Sequence, residues 1–342
     1  MTFFAVRGAG VRCKAALAAL FVMAALAALA SSAQAQSAFP NRPIRILTQF
    51  PPGAVSDISL RILADRAGAQ LGTQIIVQNQ PSAAGVTAAR ETLSATADGT
   101  TLAMLSNATA VSAATYQKMP FDPLTDFVPI SGMSDFAYLF LTNYGSGLHT
   151  MAEFLAAAKA QPGKLNVGTS AAGTTPYLAA LLFKKAAGLD FAIVPYKGAP
   201  DLTVALLRND IDVAINAYGG YREALTDKKL RALAATTASR TVFLPDVPTT
   251  REAGIADFEV SSWNGIFAPA KTPAGAIDRL TQAFHAALAE PELIDKFHDL
   301  GIEAWPGSAA ELAARMKSEI ARWNKVVDDN ARSEERRVGK EC

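Results

Sequence analysis

Short apolar runs, Gly- and Ser-rich turns and stretches of helical period follow one another along most of this chain. Apolar runs of four to eight residues read as strands, and apolar positions recurring every three to four residues read as helices. On that basis strands are predicted at 44–50, 74–78, 101–105, 136–143, 165–169, 191–196, 211–217 and 230–235, with an extended segment over 258–268. Helices are predicted at 57–71, 86–94 and 151–160, from Pro176 and from Pro200, and at 273–289, 291–300 and 308–330. Strand, turn and helix in strict alternation argue for βαβ units and a mostly parallel sheet. The scheme runs twice, so two α/β units are expected, joined by crossing segments near Phe140 and Val260.

Four of the turns share one design. The segments Pro51 to Ser56, Ser82 to Gly85, Ser170 to Thr175, and Gly198 with Ala199 each follow a strand, open a helix and consist mainly of small residues. Such a turn aims free backbone N–H groups and the positive end of a helix dipole at one point. Small side chains let an anion approach the backbone, which suits carboxylate or phosphate. Any βα turn favours these residues, with or without a ligand; four of them, two in each unit, favour a cleft. Ser56 or Asp57 is expected to cap the first helix, and Thr174 or Thr175 the third, with Pro176 opening it. Asp57 and Arg61 stand at (i, i+4), as a helical ion pair or with Asp57 at a pocket edge.

Enzyme signatures do not emerge. Gly168-Thr-Ser170-Ala-Ala-Gly173 has one residue too many for a nucleophile elbow. His149, His285 and His298 have no metal-ligand spacing, no carboxylate pair stands out, and no metal or organic cofactor is implied. A hydrolase using Ser170 is a remote alternative.

The ends of the chain set the compartment. Arg7, Arg12 and Lys14 precede an apolar stretch from Ala15 to Ala30, and Ala33-Gln34-Ala35 fits a signal-peptidase site. We expect a leader over residues 1–35, cleaved after Ala35, and a periplasmic protein. Residues 331–342 break from the preceding pattern and read as a non-native tail. Cys13 and Cys342 are the two cysteines, so the body carries no disulfide framework. Three of the 32 basic residues lie in the leader; four basic and three of the 31 acidic residues lie in the tail. That leaves 25 basic against 28 acidic, a net of −3 with no footprint for nucleic acid.

The body resembles a known family. Phe39-Pro-Asn-Arg-Pro-Ile-Arg45, Phe50-Pro-Pro-Gly53 with Asp57 and Arg61, and Asp98-Gly99 stand in the order and spacing of the substrate-binding proteins of tripartite tricarboxylate transporters, the Bug family. So do Val194-Pro-Tyr-Lys-Gly198, Leu244-Pro-Asp-Val-Pro-Thr249, Glu252-Ala-Gly254, and Trp263 with Gly265-Ile-Phe-Ala-Pro269 and Thr272-Pro273. The resemblance implies a two-lobe periplasmic-binding-protein (Venus flytrap, type II-like) fold, each lobe a mixed sheet flanked by helices. It implies a discontinuous first lobe, 36–140 plus 261–330, and a second lobe over 141–260. It also implies a small organic acid held between the lobes and passed to permease subunits of the transporter; the protein itself is expected to be a monomer. A sensor presenting its closed form to a kinase is the alternative. Carried over by position, the ligand-binding residues are Pro52, Gly53, Ala54 and Asp57; Ser82, Ala83, Ala84 and Gly85; Ser170, Ala171, Gly173 and Thr174; Gly198 and Ala199; with Asn216 and Trp263 as walls. The chain departs from the family pattern at Ala54, where a second glycine is usual, in Ser82-Ala-Ala-Gly85, where Gly-Ala-Gly-Gly is usual, and at Pro176-Tyr177, where a His is usual.

Overall fold

The computed structural model describes residues 39–82, 85–116, 118–256 and 258–341, with side chains through residue 329. The leader, its cleavage point after Ala35, and Cys342 lie outside the described residues. The chain divides into two compact units, Met1–Arg42 and Pro43–Cys342. Of the first, residues 39–42 are described; they form a bend with a cis Phe39–Pro40 bond.

The second unit is a mixed α/β structure. Strand β1 (Ile44–Thr48) lies between β2 (Ile75–Asn79) and β3 (Thr101–Ser106), all three parallel. The long β4 (Phe127–Asn143) follows, then β5 (Asn166–Ser170), β6 (Ala192–Tyr196), β7 (Val213–Ala217) and β8 (Leu230–Ala235). The last two strands are β9 (Ser261–Pro269) and the short β10 (Glu303–Ala304). The order is β2-β1-β3-β9-β4-β7-β5-β6, with β8 and β10 also paired to β4. Strand β9 runs antiparallel between β3 and β4, while β5 pairs in parallel with both β6 and β7. The expected mostly parallel arrangement is therefore mixed, because β9 runs against β1, β2 and β3 in the first sheet and β4 runs against β5, β6, β7 and β8 in the second.

Strand β4 serves two sheets. Its first part pairs with β9 as far as Ala137↔Ser261, and from Tyr138 onward it pairs with β7 and β8. The sequence predicts only its second half, from 136. Pro129 and Gly132 argue against a strand earlier on, but register shifts between Pro129 and Ser131 and between Gly132 and Ser134 absorb them. Gly132 is required by packing: a Cβ there would stand 2.6 Å from the Trp305 carbonyl oxygen.

Helices cover the sheets: α1 (Val55–Leu71), α2 (Val86–Ser94), α3 (Asn107–Thr115), α4 (Met151–Ala160), α5 (Thr175–Ala186), α6 (Ala199–Arg208), α7 (Arg222–Thr226), α8 (Ala274–Leu288), α9 (Pro291–Asp299) and α10 (Ala309–Glu341). Helix α3 was not expected; it starts directly where β3 ends. The backbone of α10 continues helical through the segment read as a foreign tail. Local chemistry fixes several ends. Gly72 closes α1 in the left-handed conformation, its N–H reaching the Ala69 carbonyl. Thr150 and Glu153 form a reciprocal capping box on α4. Buried aromatic rings fill the second sheet's core, with Phe140 and Phe183 centroids 4.6 Å apart and Phe258 edge-on to Phe183 at 5.2 Å.

Candidate functional site

The four small-residue turns all lie at the carboxyl ends of parallel strands: β1 and β2 in one sheet, β5 and β6 in the other. Ligands of open α/β sheets bind at such ends.

In the first turn, Pro51, Pro52 and Gly53 are exposed and Ala54 is the N-cap of α1, with no side-chain cap over the helix. The cap expected at Ser56 or Asp57 is therefore displaced: the helix starts earlier, at Val55. Ser56 instead accepts a hydrogen bond from Asn264 (3.1 Å). The Asp57 carboxylate is buried and fully engaged. It accepts from the Gly53 N–H (2.9 Å), from Arg61 (3.1 Å) and from the Asn79 amide (2.7 Å). Burial pushes this carboxyl up, but the bonds from Arg61, Asn79 and Gly53 and the Arg61 charge outweigh it, so its pKa lies below the usual carboxylate range. Asp57 thus builds the turn. The Gly53 and Ala54 N–H groups are spent inside it, on Asp57 and the Pro51 carbonyl. The N–H groups of Val55 and Ser56 open the uncapped helix.

In the second turn, Ala83 and Ala84 lie outside the described residues. Ser82 Oγ accepts from the Thr87 N–H (3.1 Å), and Gly85 is the left-handed N-cap of α2, with φ of 69°. A Cβ on Gly85 would stand 2.6 Å from the Gln49 side-chain oxygen. Asn79, at the end of β2, joins the first two turns: it bonds Phe50, Asp57 and Arg61.

In the second sheet, Ala171 and Gly173 are exposed at the tip of the third turn. Thr174 is the N-cap of α5, but its hydroxyl donates to the Ala171 carbonyl (2.7 Å), so it braces the turn instead of capping. Pro176 sits one place further in than expected. Ser170 Oγ accepts from the Asn216 amide (3.1 Å) at the end of β7, and Asn216 Oδ1 takes the Ala217 N–H (2.8 Å). Gly198 is the extended N-cap of α6, and Ala199 packs so closely on Gly220 that a Cβ there would come within 2.8 Å. The sequence reading thus reaches Ser170, Asn216, Gly198 and Ala199 at neighbouring strand ends.

Trp263 is placed differently. Its indole is fully buried, donates to Glu319 Oε1 (2.9 Å) and packs against Trp305 at 6.5 Å. The ring is core and presents no surface to a ligand. Its position on β9, between β3 and β4, is the reason.

A set of polar residues beneath the turns was missed. Gln49 donates to Ser106 Oγ (2.9 Å), and Ser106 caps α3 in a capping box with Thr109. The next residue, Asn107, donates to Thr175 Oγ1 (2.7 Å) and accepts from Ser262 (2.7 Å). Asn264 donates to both Ser56 and Ser134 (3.1 Å each). The first and third turns are thereby tied to a buried polar floor, at Ser56 and at Thr175. The available signal was an amide amid apolar residues, at Asn107 after Thr101-Leu-Ala-Met-Leu-Ser106, and at Asn264 before Gly265-Ile-Phe-Ala268.

The chemistry on offer is binding. The one carboxylate described in the turns, Asp57, has its lone pairs occupied, and burial raises the Tyr138 and Tyr221 phenols so that both stay neutral. Among the described residues, no group of three or more His, Cys, Asp or Glu side chains is placed to hold a metal.

Residues 59–331 match the tripartite tricarboxylate transporter family receptor. The chain is 33% identical over 296 residues to a UPF0065 protein in the tcbD-tcbE intergenic region of Pseudomonas sp. strain P51, covering 86% of this chain and 88% of that one. It is 31% identical to protein BugT of Bordetella pertussis, covering 84% and 89%. Among solved structures it is similar to malate-bound MatC of Rhodopseudomonas palustris, with 28% identity and a TM-score of 0.69 over 84% of this chain and 100% of that one. It is also similar to an R. palustris protein solved with adipate, with 28% identity and a TM-score of 0.71 over 85% and 97%. These likenesses identify the two-lobe periplasmic-binding-protein fold. Receptors of this kind are periplasmic, bind substrate and are not enzymes, which removes the Ser170 hydrolase alternative. This chain belongs to the tripartite tricarboxylate transporter receptor family.

Proposed function

We propose that the protein captures a small organic acid in the cleft between two lobes and presents it to permease subunits of a tripartite transporter. The observation that carries the reading is the set of helices α1, α2, α5 and α6, which open at strand ends and whose N-cap residues place no side chain on the helix; on α2 Ser82 takes the Thr87 N–H, while the other three have no side-chain cap. Their first-turn N–H groups and dipoles favour an anion by ~0.3–1 kcal/mol each. The malate and adipate carried by two relatives support a carboxylate as that anion. The lobes we propose are residues 36–137 with 261–330, and 138–260. Strand β4 changes partner at Ala137/Tyr138, slightly ahead of the 140/141 division expected from sequence. The lobes close about β4 and β9. Export with cleavage after Ala35 supplies the compartment.

Thermal shift with malate, adipate and their neutral diamides tests the reading. A ligand present at ~100 times its Kd stabilises by ~2.7 kcal/mol. A dose-dependent shift with either diacid and none with its diamide is the expected result. A shift with a diamide alone would overturn the anion argument.

A further inference from the structure

Asn107 sits where the two proposed lobes meet, and its amide is used at both ends. It starts α3 directly from the end of β3, on the first lobe. Nδ2 donates to Thr175 Oγ1 (2.7 Å), and Thr175 is the first residue of α5 on the second lobe, directly behind the third turn. Oδ1 accepts from Ser262 Oγ (2.7 Å) on β9. The buried Tyr138 hydroxyl lies beside all three side chains. Ser262 and Tyr138 flank the point where β4 changes from β9 to β7 and β8, so the cluster is centred on the pivot.

We propose that Asn107 is a positioning residue that sets the resting angle between the lobes, by latching the start of α5 to the floor of the first lobe. This rests on the two-lobe reading above. The crossing strands are continuous chain and tolerate rotation; a side-chain bond between lobes breaks once the lobes turn by more than a few tenths of an ångström at that point. Some other polar contacts between the lobes are exposed, such as Arg222 to the Asp299 carbonyl (2.6 Å) and the Lys185–Asp329 pair, and water replaces them at little cost; the bond from Thr241 to Glu303 (3.2 Å) is part-buried and lies away from the Asn107 cluster. Asn107 and Thr175 are 3% and 5% exposed, so water does not readily replace their bond. The amide serves one partner as donor and the other as acceptor; an aspartate would only accept, so Thr175 would have to turn its hydroxyl to donate, and serine lacks the reach to serve both partners. Ser106, the neighbour of Asn107 in the chain, accepts from Gln49 (2.9 Å), whose side chain lies close to Gly85 of the second turn.

Pulsed electron–electron distance measurement tests the latch without any ligand. With Cys13→Ser and Cys342→Ser, spin labels go on Arg90→Cys in α2 and Val204→Cys in α6, both exposed. Asn107→Ala and Thr175→Val are each expected to add or enlarge a second interlobe distance population, by ~3–10-fold relative to the parent. Both remove the Asn107–Thr175 bond, and Asn107→Ala also removes the bond from Ser262, so the double variant is expected to match Asn107→Ala. Thr92→Val removes a buried hydroxyl that bonds within α2, and is expected to leave the distribution unchanged. Unchanged distributions for both latch variants overturn the proposal, as does a double variant whose shift is the sum of two. Should Asn107→Ala not fold, the nearly isosteric Thr175→Val decides alone. Failure here leaves the thermal-shift result on the parent protein untouched, so the latch and the carboxylate reading fall separately.

Discussion

Whether a glycine in these turns is needed depends on its backbone angle and on what lies opposite. Gly53 has φ of 83° with nothing within 4 Å of a built Cβ, whereas Gly85 has φ of 69° and faces the Gln49 side-chain oxygen at 2.6 Å. That oxygen belongs to a side chain held by its bond to Ser106. Gly53→Ala is therefore expected to cost only the strain of a positive φ, about 1 kcal/mol, and Gly85→Ala about 1–3 kcal/mol, in urea unfolding of the two variants against the parent. Equal costs would mean that Gln49 moves aside freely. The same angles explain a departure from the family pattern. Ala54 stands where a second glycine is usual, but its φ of −65° and ψ of 151° suit any residue. These requirements were only half legible in the sequence. A Gly-rich turn was plain, but which glycine is obligatory follows from a neighbour 36 residues away in the chain, Gln49 for Gly85.

At the scale of elements, alternation placed most strands and helices, because the buried face of each repeats at the period of its own backbone. It failed where that link is broken. Helix α3 is built from Asn107-Ala-Thr-Ala-Val-Ser-Ala-Ala-Thr115, too short and too small in its side chains to show a stripe, and only the Ser106 and Thr109 capping box marks its start. The first turn was legible as a turn but not in its wiring. Asp57 was read as one end of a helical ion pair with Arg61; that pair exists at 3.0 Å, yet the same carboxylate also fastens Gly53 and Asn79, and so joins the turn, α1 and β2. Spacing along one helix reveals the first contact and says nothing of the other two. Asp57→Ala strips partners from the Gly53 N–H and the half-buried Asn79 amide, and is expected to lower stability by about 1–2 kcal/mol. Because the folded carboxyl has a lowered pKa, its stabilisation is present above the unfolded value of about 3.9 and fades as pH falls through the folded value. The gap between parent and variant should therefore narrow in acid, in urea melts at pH 7 and pH 3. A gap independent of pH would assign the loss to packing alone.

For the whole molecule, helix α10 is the element that holds the crossing strands. Arg315 pairs with Asp135 on β4 (2.5 Å), donates to Ser261 on β9 (2.5 Å) and lies over the Trp305 ring at 4.6 Å. One turn on, Glu319 is 5% exposed and accepts from Trp263 Nε1 (2.9 Å), with Arg315 at 3.8 Å. Burial pushes the Glu319 carboxyl above the usual carboxylate range, and the charges of Arg315 and Arg322 and the bond from Trp263 do not bring it back. The folded protein thus holds this proton more tightly than the unfolded chain does. The associated stability is fully present below the unfolded value of about 4.3 and is lost as pH rises through the folded value. Glu319→Gln keeps an oxygen for Trp263 and has no proton to lose. The variant should therefore gain on the parent as pH rises from about 4.5 toward neutrality, and the difference should level off once the parent's carboxyl is ionised in both states. Urea unfolding at several pH values, followed by the fluorescence of the three tryptophans, reads this directly, since Trp263 bonds the carboxylate and Trp305 lies under Arg315. A difference that stays flat, or falls as pH rises, would mean that Arg315 outweighs burial and the carboxylate is ionised in the folded core, making the clasp between α10 and the crossing strands an ion pair at every working pH.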